Sequence, residues 1–257
     1  MTKLTGRYLC SEETLLKVES YLKSLITGTT EPGARLAKVL SVAKIDNFST
    51  IDAKQLIAFL MDTRIPKIFA ESEPTLDGSD WNLQENAILG DIVFSTTGTH
   101  AFNNGAHVGQ QNHEEPIDTH FLFIASALLR NDQGHKTSDM NDVLVNDQLD
   151  EESFYKLYER RLLPGLLIQN EQAKKDGIPL VINIPGLGCG QFAGKYGAQI
   201  RAALPRVLKR LFETHGAKLD MIHTVNYDPY AKLVKDEFTT DKIPNTQINP
   251  SSEFHKG

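Results

Sequence analysis

Four glycines fall within nine residues in the last third of the chain, between a short apolar run and a helical pattern. The apolar run, Leu180 to Ile184, is typical of a strand that helices cover on both faces. The helical pattern covers about Tyr196 to His215, and a second strand is predicted at Leu219 to Val225. Strand, helix and strand in this order predict an α/β fold with a largely parallel sheet.

The glycine stretch itself predicts a loop that binds an anion. Its glycines are Gly186, Gly188, Gly190 and Gly194. In an open α/β sheet, a loop between strand and helix lies at the edge where backbone amides face the ligand crevice. Glycine permits the positive φ values and the close approach that turn several amides toward one phosphate. The alternative is that the glycines only form a tight turn.

Two common nucleotide-binding patterns do not fit this stretch. A P-loop requires Gly, four residues and then Gly-Lys-Ser/Thr, but the residue five before Gly194 is Cys189, and neither Ser nor Thr follows Lys195. A dinucleotide fingerprint requires Gly-x-Gly-x-x-Gly, but its last position falls on Gln191 or Ala193. The commoner nucleotide enzymes are therefore excluded.

Charge and cysteine content exclude further classes of function. The formal net charge is −6, so an anionic ligand must be held by a local device rather than by the field of the whole protein. The two cysteines, Cys10 and Cys189, are too few for a disulfide framework or a zinc site. No run of ~18 apolar residues occurs. We expect a cytoplasmic protein that uses no metal or cofactor and binds neither nucleic acid nor membrane.

The first third of the chain is predicted to be mainly helical. Ser11 is placed as the N-cap of a helix whose apolar pattern continues to Leu25. Next along the chain we predict helices over Ala34 to Ala43 and Ile51 to Asp62, a loop over Glu71 to Asn86 and a strand over Ile88 to Ser95. We expect one main domain, in which residues 1–85 form a helical segment packed on a core of residues 86–257.

The remaining elements are predicted from the same signals. They are a buried strand or short helix over Phe121 to Leu129, a long polar loop over Asn131 to Asp150, a helix over Glu151 to Gln172 that is broken or kinked near Pro164, a turn over Asn226 to Pro229 and a last helix near Tyr230 to Phe238.

The stretch Gly188-Cys189-Gly190-Gln191-Phe192-Ala193-Gly194, with its preceding strand and following helix, resembles the macrodomain superfamily. It looks most like the poly(ADP-ribose) glycohydrolase branch and the divergent macrodomains of bacterial effectors that remove ADP-ribose from arginine. The resemblance implies a macrodomain-like three-layer α/β/α fold with a mixed, largely parallel sheet and an N-terminal helical extension. It covers roughly Ile178 to Asp228, about a fifth of the chain.

The resemblance also implies which residues hold ADP-ribose. The diphosphate is expected on the loop residues Gly186, Gly188, Cys189, Gly190, Gln191, Phe192, Ala193 and Gly194. By position, Tyr227 is the candidate to stack on adenine, with Asp228 beside it. Asp91 stands in a Gly-Asp-Ile sequence similar to one in simpler macrodomains, where the acid contacts the adenine amine. Asn104 lies in the nearest match to a second family motif, the triple-glycine loop.

That second motif departs from the family pattern. Glycohydrolases follow a triple-glycine loop with Gln-Glu-Glu, whereas this chain has Asn103-Asn104-Gly105 and then Glu114 and Glu115. Gln84-Glu85 gives another register. The departure puts cleavage of poly(ADP-ribose) chains in doubt more than binding of ADP-ribose. The resemblance makes Glu114 and Glu115 candidate catalytic acids, because breaking a glycosidic bond needs a carboxylate.

A second group of acids stands in the polar stretch before the helix at Glu151. If the substrate is ADP-ribosylarginine, a carboxylate there could hold the leaving guanidinium by bidentate contacts. Asp139 and Asp147 are the candidates, and the alternative is that they are solvated loop residues.

Three functions follow as hypotheses. The first is an ADP-ribosyl hydrolase that cleaves the glycosidic link to a modified protein side chain, with arginine as one acceptor. The second is a reader that binds ADP-ribose or an ADP-ribosylated protein without cleaving it. The third is a protein-interaction domain whose glycine loop is only structural. A translocated effector acting in a host cell would have the same sequence features as a resident cytoplasmic protein.

Overall fold

The computed structural model describes residues 6–64, 80–101, 117–130, 136–227, 238, 240–243 and 245–248. Within these residues the helices are α1 (Glu12–Ile26), α2 (Ala34–Val42), α3 (Ala53–Asp62), α4 (Leu83–Asp91), α5 (Ser138–Val143), α6 (Glu151–Asp176) and α7 (Gly197–His215). The strands are β1 (Gly6–Leu9), β2 (Val93–Ala101), β3 (Ile117–Phe123), β4 (Leu144–Val145), β5 (Gln148–Leu149), β6 (Leu180–Ile184), β7 (Ile222–Tyr227) and β8 (Asn245–Ile248).

The described strands form two three-stranded sheets and one short hairpin. The N-terminal sheet has the order β1-β2-β3, and both of its pairings are antiparallel. The C-terminal sheet has the order β6-β7-β8, and both of its pairings are parallel. The predicted α/β class with mixed pairing is confirmed. Parallel pairing belongs to the C-terminal sheet, where α7 connects β6 to β7 as expected for parallel neighbours.

The N-terminal helices begin at the capping residues that their sequence provides. The Ser11 side chain accepts a hydrogen bond from the Thr14 amide at 3.1 Å, which confirms the predicted N-cap of α1. Asp52 and Gln55 form a capping box at the start of α3. The predicted helices of this third are confirmed to within two residues at their starts.

Helix α4 corrects one sequence prediction. A strand was expected over Ile88 to Ser95, but the chain is helical to Asp91 and becomes a strand only at Val93. A capping box between Asn82 and Glu85 starts the helix, and Ile88 is buried among the N-terminal helices. A largely apolar run such as Ile88 to Val93 does not distinguish a helix from a strand, because either element is apolar when it is buried.

Helix α6 is the longest element, with 26 residues. It continues through Pro164, so the predicted break is wrong. Leu162 and Leu166 on either side of the proline are buried in the core, and this packing outweighs the lost backbone hydrogen bond. Gly177 ends the helix with a left-handed φ of 68°. Across the described ranges, no helix is long and apolar enough to span a bilayer.

The stretch predicted as a loop over residues 131–150 contains regular structure. Helix α5 and the β4–β5 hairpin lie in it, and both are too short to show a periodic apolar pattern. The predicted last helix lies outside the described residues, except for Phe238. Asn226 and Tyr227 belong to β7 rather than to the predicted turn.

Among the described residues, buried apolar side chains form two clusters. One consists of residues of α1 to α4, including Tyr21 and Leu56, together with neighbours such as Trp81 just before α4. The other lies between α6, α7 and the C-terminal sheet. The predicted boundary between residues 85 and 86 falls inside α4, and the division into a helical segment and a core stays a prediction.

Candidate functional site

The glycine loop, residues 185–196, leaves the carboxyl end of β6 and leads into α7. Gly188 has a φ of 72°, and Gly194 has a φ of 52°. Two of the four glycines therefore adopt the conformation that favours this residue type. Within the described chain, the amides of Gly188 and Gly190 donate to no backbone oxygen, whereas the Cys189 amide between them donates to Gly186 at 3.0 Å. Alternate amides are thus available to an anion.

Residues 124–130, which follow β3 without forming a helix or strand, lie directly against the glycine loop. We call them the bracing segment. The Leu129 amide donates to the Phe192 carbonyl at 2.8 Å. A Cβ atom at Gly194 would lie 2.9 Å from the Leu129 carbonyl oxygen, and one at Gly188 would lie 3.2 Å from that of Ala127. A side chain at Gly194 would collide with the backbone, and at Gly188 the contact is tight and the positive φ disfavours any residue other than glycine.

Among the residues that the structure describes, three cationic ones lie in or next to the loop, although the chain carries a net charge of −6. Arg201, in the first turns of α7, donates to the Cys189 carbonyl at 3.3 Å. Arg130 ends the bracing segment beside Gly194. The exposed Lys195 lies in the loop itself. Together with the N-terminal end of α7, these charges favour a bound phosphate.

Asp147 is the described candidate acid that stands at the mouth of the glycine loop. It occupies the tip of the β4–β5 hairpin, where Asn146 and Asp147 have φ values of 50° and 60°. Its carboxylate accepts hydrogen bonds from Lys195, at 2.5 Å, and from the Tyr196 hydroxyl. These two bonds hold the pKa of Asp147 below its usual value. The side chain is 63% exposed, so an ionised carboxylate faces solvent beside the loop.

Asp139 lies behind the bracing segment rather than in the open crevice. It is 6% exposed and lies in the first turn of α5. Arg161 donates to its two carboxylate oxygens at 2.7 and 3.0 Å, and the Leu128 amide donates at 2.9 Å. The bidentate arginine contact that the sequence suggested for a substrate is made here by the protein's own Arg161.

Asp91 is the last residue of α4 and is 1% exposed. Its carboxylate accepts from Lys17 at 2.9 Å, from Arg160 at 3.1 Å and from Arg161 at 3.0 Å. Burial opposes the charged form, but the three cations outweigh it and lower the pKa of Asp91. Its contact with adenine stays a prediction, whereas the contacts that the structure shows join α1, α4 and α6.

Tyr227 ends β7 opposite Ile184, at the start of the glycine loop. Its ring is buried and packs on Phe238 with the centroids 4.9 Å apart. Stacking on adenine also stays a prediction. The candidates Glu114, Glu115, Asn104 and Asp228 lie outside the described residues. Glu85, the other register of the second motif, is buried in the capping box of α4.

A family model described as "Macrodomain effector MavL" matches residues 7–254. The chain belongs to this family. MavL family membership confirms the resemblance to macrodomains and extends it from a fifth of the chain to nearly all of it. It also assigns the chain to a family of effectors. A search of curated proteins gave no match.

The site of this MavL family member includes residues that the sequence did not single out for binding. Tyr158, Arg201 and Arg130 lie against the glycine loop, and Arg161 binds the bracing segment. Lys195 entered only as part of a failed P-loop pattern. Arg160 and Arg161 are adjacent and directly precede the apolar residues Leu162 and Leu163, which is a weak signal in the sequence that the arginines are buried, and a buried charge requires a partner. The sequence does not say which acid that partner is.

Proposed function

We propose that this protein is an ADP-ribosyl hydrolase, which binds ADP-ribose on the glycine loop and cleaves its link to a modified side chain, with arginine as the preferred acceptor. The observation that carries the proposal is the position of an exposed, ionised Asp147 beside a glycine loop at the carboxyl end of a parallel strand. Membership in an effector family supports action in a host cell after translocation.

The loop suits the diphosphate. The amides of Gly188 and Gly190 alternate with bonded ones, and Lys195 and Arg201 add positive charge. A diphosphate carries two negative charges and several acceptor oxygens, so it can use both kinds of donor. We place the diphosphate there and the distal ribose toward the β4–β5 hairpin.

The protonation state of Asp147 suits one chemical role. An aspartate is ionised near neutral pH and the pKa of Asp147 is lowered further, so it can accept a proton but has none to donate. In the proposed reaction, Asp147 takes a proton from a water whose oxygen bonds to the anomeric carbon. The carbon–nitrogen bond breaks, its electron pair stays on the guanidine nitrogen, and the proton is returned there. Tyr196 and Lys195 orient the carboxylate.

The test begins with ADP-ribose binding by calorimetry, where no heat at millimolar ligand would sink the proposal. The protein is then incubated with arginine-linked, glutamate-linked and polymeric ADP-ribose. We expect release from arginine, and a reader would leave all three substrates intact. Asp147→Asn should reduce the rate by at least about a hundredfold with little change in ADP-ribose affinity.

Asp46→Asn is the matched control, because it removes the same charge from an exposed residue between α2 and α3. It should react like the wild type. Full activity of Asp147→Asn would exclude Asp147, and Glu114→Gln and Glu115→Gln would then be tested for the loss.

A further inference from the structure

The bracing segment is irregular but partly buried, so its backbone polar groups need partners. Side chains from helix α6 and from the start of α5 supply them. Arg161 donates to the carbonyls of Ala125 and Ser126 at 3.4 and 3.3 Å. Thr137 donates to the Leu128 carbonyl at 2.6 Å. The segment is therefore held by side chains rather than by a sheet.

Tyr158 of α6 bonds to both the bracing segment and the glycine loop. Its hydroxyl accepts from the Ala127 amide at 3.2 Å and donates to the Leu187 carbonyl at 3.0 Å. A Cβ at Gly188 would lie 3.2 Å from the same hydroxyl. The Tyr158 hydroxyl oxygen thus fixes the distance between the backbone of the bracing segment and that of the glycine loop next to Gly188.

The surroundings of Tyr158 keep this bridge in place. Its ring is fully buried and meets Phe154 edge to face, with the centroids 4.9 Å apart. Burial raises the pKa of Tyr158, so the hydroxyl keeps the proton that it donates to Leu187. On the far side of the segment, the Asp139 carboxylate accepts from the Leu128 amide.

We propose that Tyr158 is a positioning residue for the glycine loop, with Asp139 and Arg161 holding the other side of the bracing segment. Tyr158 would set the affinity for the diphosphate through Leu187 and Ala127, without touching the ligand. This inference rests on the proposed ADP-ribose site. It gives Asp139 a positioning role, whereas the proposed function gives Asp147 a direct role as the base that accepts a proton from water.

The test compares two Tyr→Phe changes on the same helix. Tyr158→Phe keeps the ring and removes the bridging hydroxyl. Tyr155→Phe is the matched control, since that hydroxyl donates to Glu159 of the same helix rather than to the bracing segment or the glycine loop. Hydrogen–deuterium exchange is followed in peptides covering residues 124–130 and 186–194, and ADP-ribose affinity is measured by calorimetry.

We expect Tyr158→Phe to speed exchange in both peptides and to weaken ADP-ribose binding about tenfold. Tyr155→Phe should do neither. Exchange at the wild-type rate in residues 186–194 would overturn the proposal, and so would faster exchange with unchanged affinity. If Tyr158→Phe does not fold, Thr137→Val loosens the same segment at Leu128, and the same outcomes decide.

The exchange measurement needs no ligand, which separates the two proposals. If the wild type binds no ADP-ribose, the proposed function fails, and the exchange rates still decide whether Tyr158 couples the bracing segment to the glycine loop.

Discussion

Helix α4 carries one buried carboxylate in its first turn and another at its end, and the two are satisfied in different ways. Glu85 accepts hydrogen bonds from the Tyr21 hydroxyl at 2.6 Å, from the Gly33 amide at 2.8 Å and from the Asn82 amide at 3.0 Å. These donors carry no formal charge. Asp91, at the other end, is bound by Lys17, Arg160 and Arg161.

The pKa shifts of the two groups follow this difference. Burial raises the pKa of Glu85 by more than its hydrogen bonds lower it. Burial also acts on Asp91, but the surrounding cations reverse its effect and lower the pKa. Uncharged hydrogen-bond donors satisfy the Glu85 carboxylate, which contacts only the N-terminal group of helices and the loops beside them. The carboxylate that joins this group to α6, and through Arg161 to the bracing segment, is compensated by charges.

The largest effect should come from Asp91→Asn. It removes the charge of one of the two carboxylates that bind the buried Arg161 and of one of the three that bind the buried Arg160, so we expect a loss of about 3–5 kcal/mol in the free energy of unfolding. Urea unfolding followed by the fluorescence of the single, buried Trp81 measures it. Asp46→Asn serves as the exposed control. A loss below about 1 kcal/mol would show that the ion pairs do not join the two regions.

Glu85→Gln should cost less, about 1–3 kcal/mol, because one carboxylate oxygen becomes an amide donor that faces another donor. The same urea titration applies. If Glu85→Gln destabilised the protein as much as Asp91→Asn, the contrast between dipoles and charges would be wrong.

The two acids should affect the pH dependence of stability with opposite signs. The folded pKa of Glu85 is raised, so its contribution is present at low pH and is lost as the pH rises through that value. The folded pKa of Asp91 is lowered, so its contribution is present above the unfolded value and is lost as the pH falls. When the free energy of unfolding is measured as a function of pH, the difference between the wild type and Glu85→Gln should shrink with rising pH. The difference for Asp91→Asn should shrink with falling pH.

The smallest effect should come from Lys17→Met, about 0.2–1 kcal/mol. Lys17 is 31% exposed, and both arginines remain on Asp91 when it is removed. Comparing the unfolding curve of Lys17→Met with that of Asp91→Asn shows whether the buried arginines supply most of the stabilisation of the Asp91 carboxylate. A loss near that of Asp91→Asn would instead assign the main role to Lys17.

Local signals predicted much of the fold. The cap at Ser11 and the apolar periodicity of α1 are contained in one short stretch, as are β6 and the loop after it. The prediction failed where a decision depended on distant partners. Ile88 is apolar in a helix or a strand, and only its packing among the N-terminal helices decides between them. Pro164 stays helical because the core holds its neighbours.

The site shows the same limit. The glycine loop could be found because its residues are consecutive. Nothing in the sequence distinguishes Asp139 from Asp147 as a candidate acid of the site, since both lie in one polar stretch. The structure separates them. Asp139 binds Arg161, 22 positions away, whereas Asp147 binds Lys195, 48 positions away, at the glycine loop. Such pairings depend on the packing of α6 and α7, which no local pattern records.

The long sequence separation within the Asp91 cluster has a consequence for synthesis on the ribosome. The described buried members of the N-terminal cluster lie between Val18 and Ile92, so they can pack before the rest of the chain exists. Arg161 is 70 positions beyond Asp91, which at the usual rate of translation is a delay of roughly 3–14 seconds. Throughout that delay Lys17 can pair with the carboxylate, and water must take the place of the two arginines. We expect the N-terminal cluster to form first and the arginines of α6 to bind Asp91 only when α6 arrives, so that the nascent chain folds in two stages.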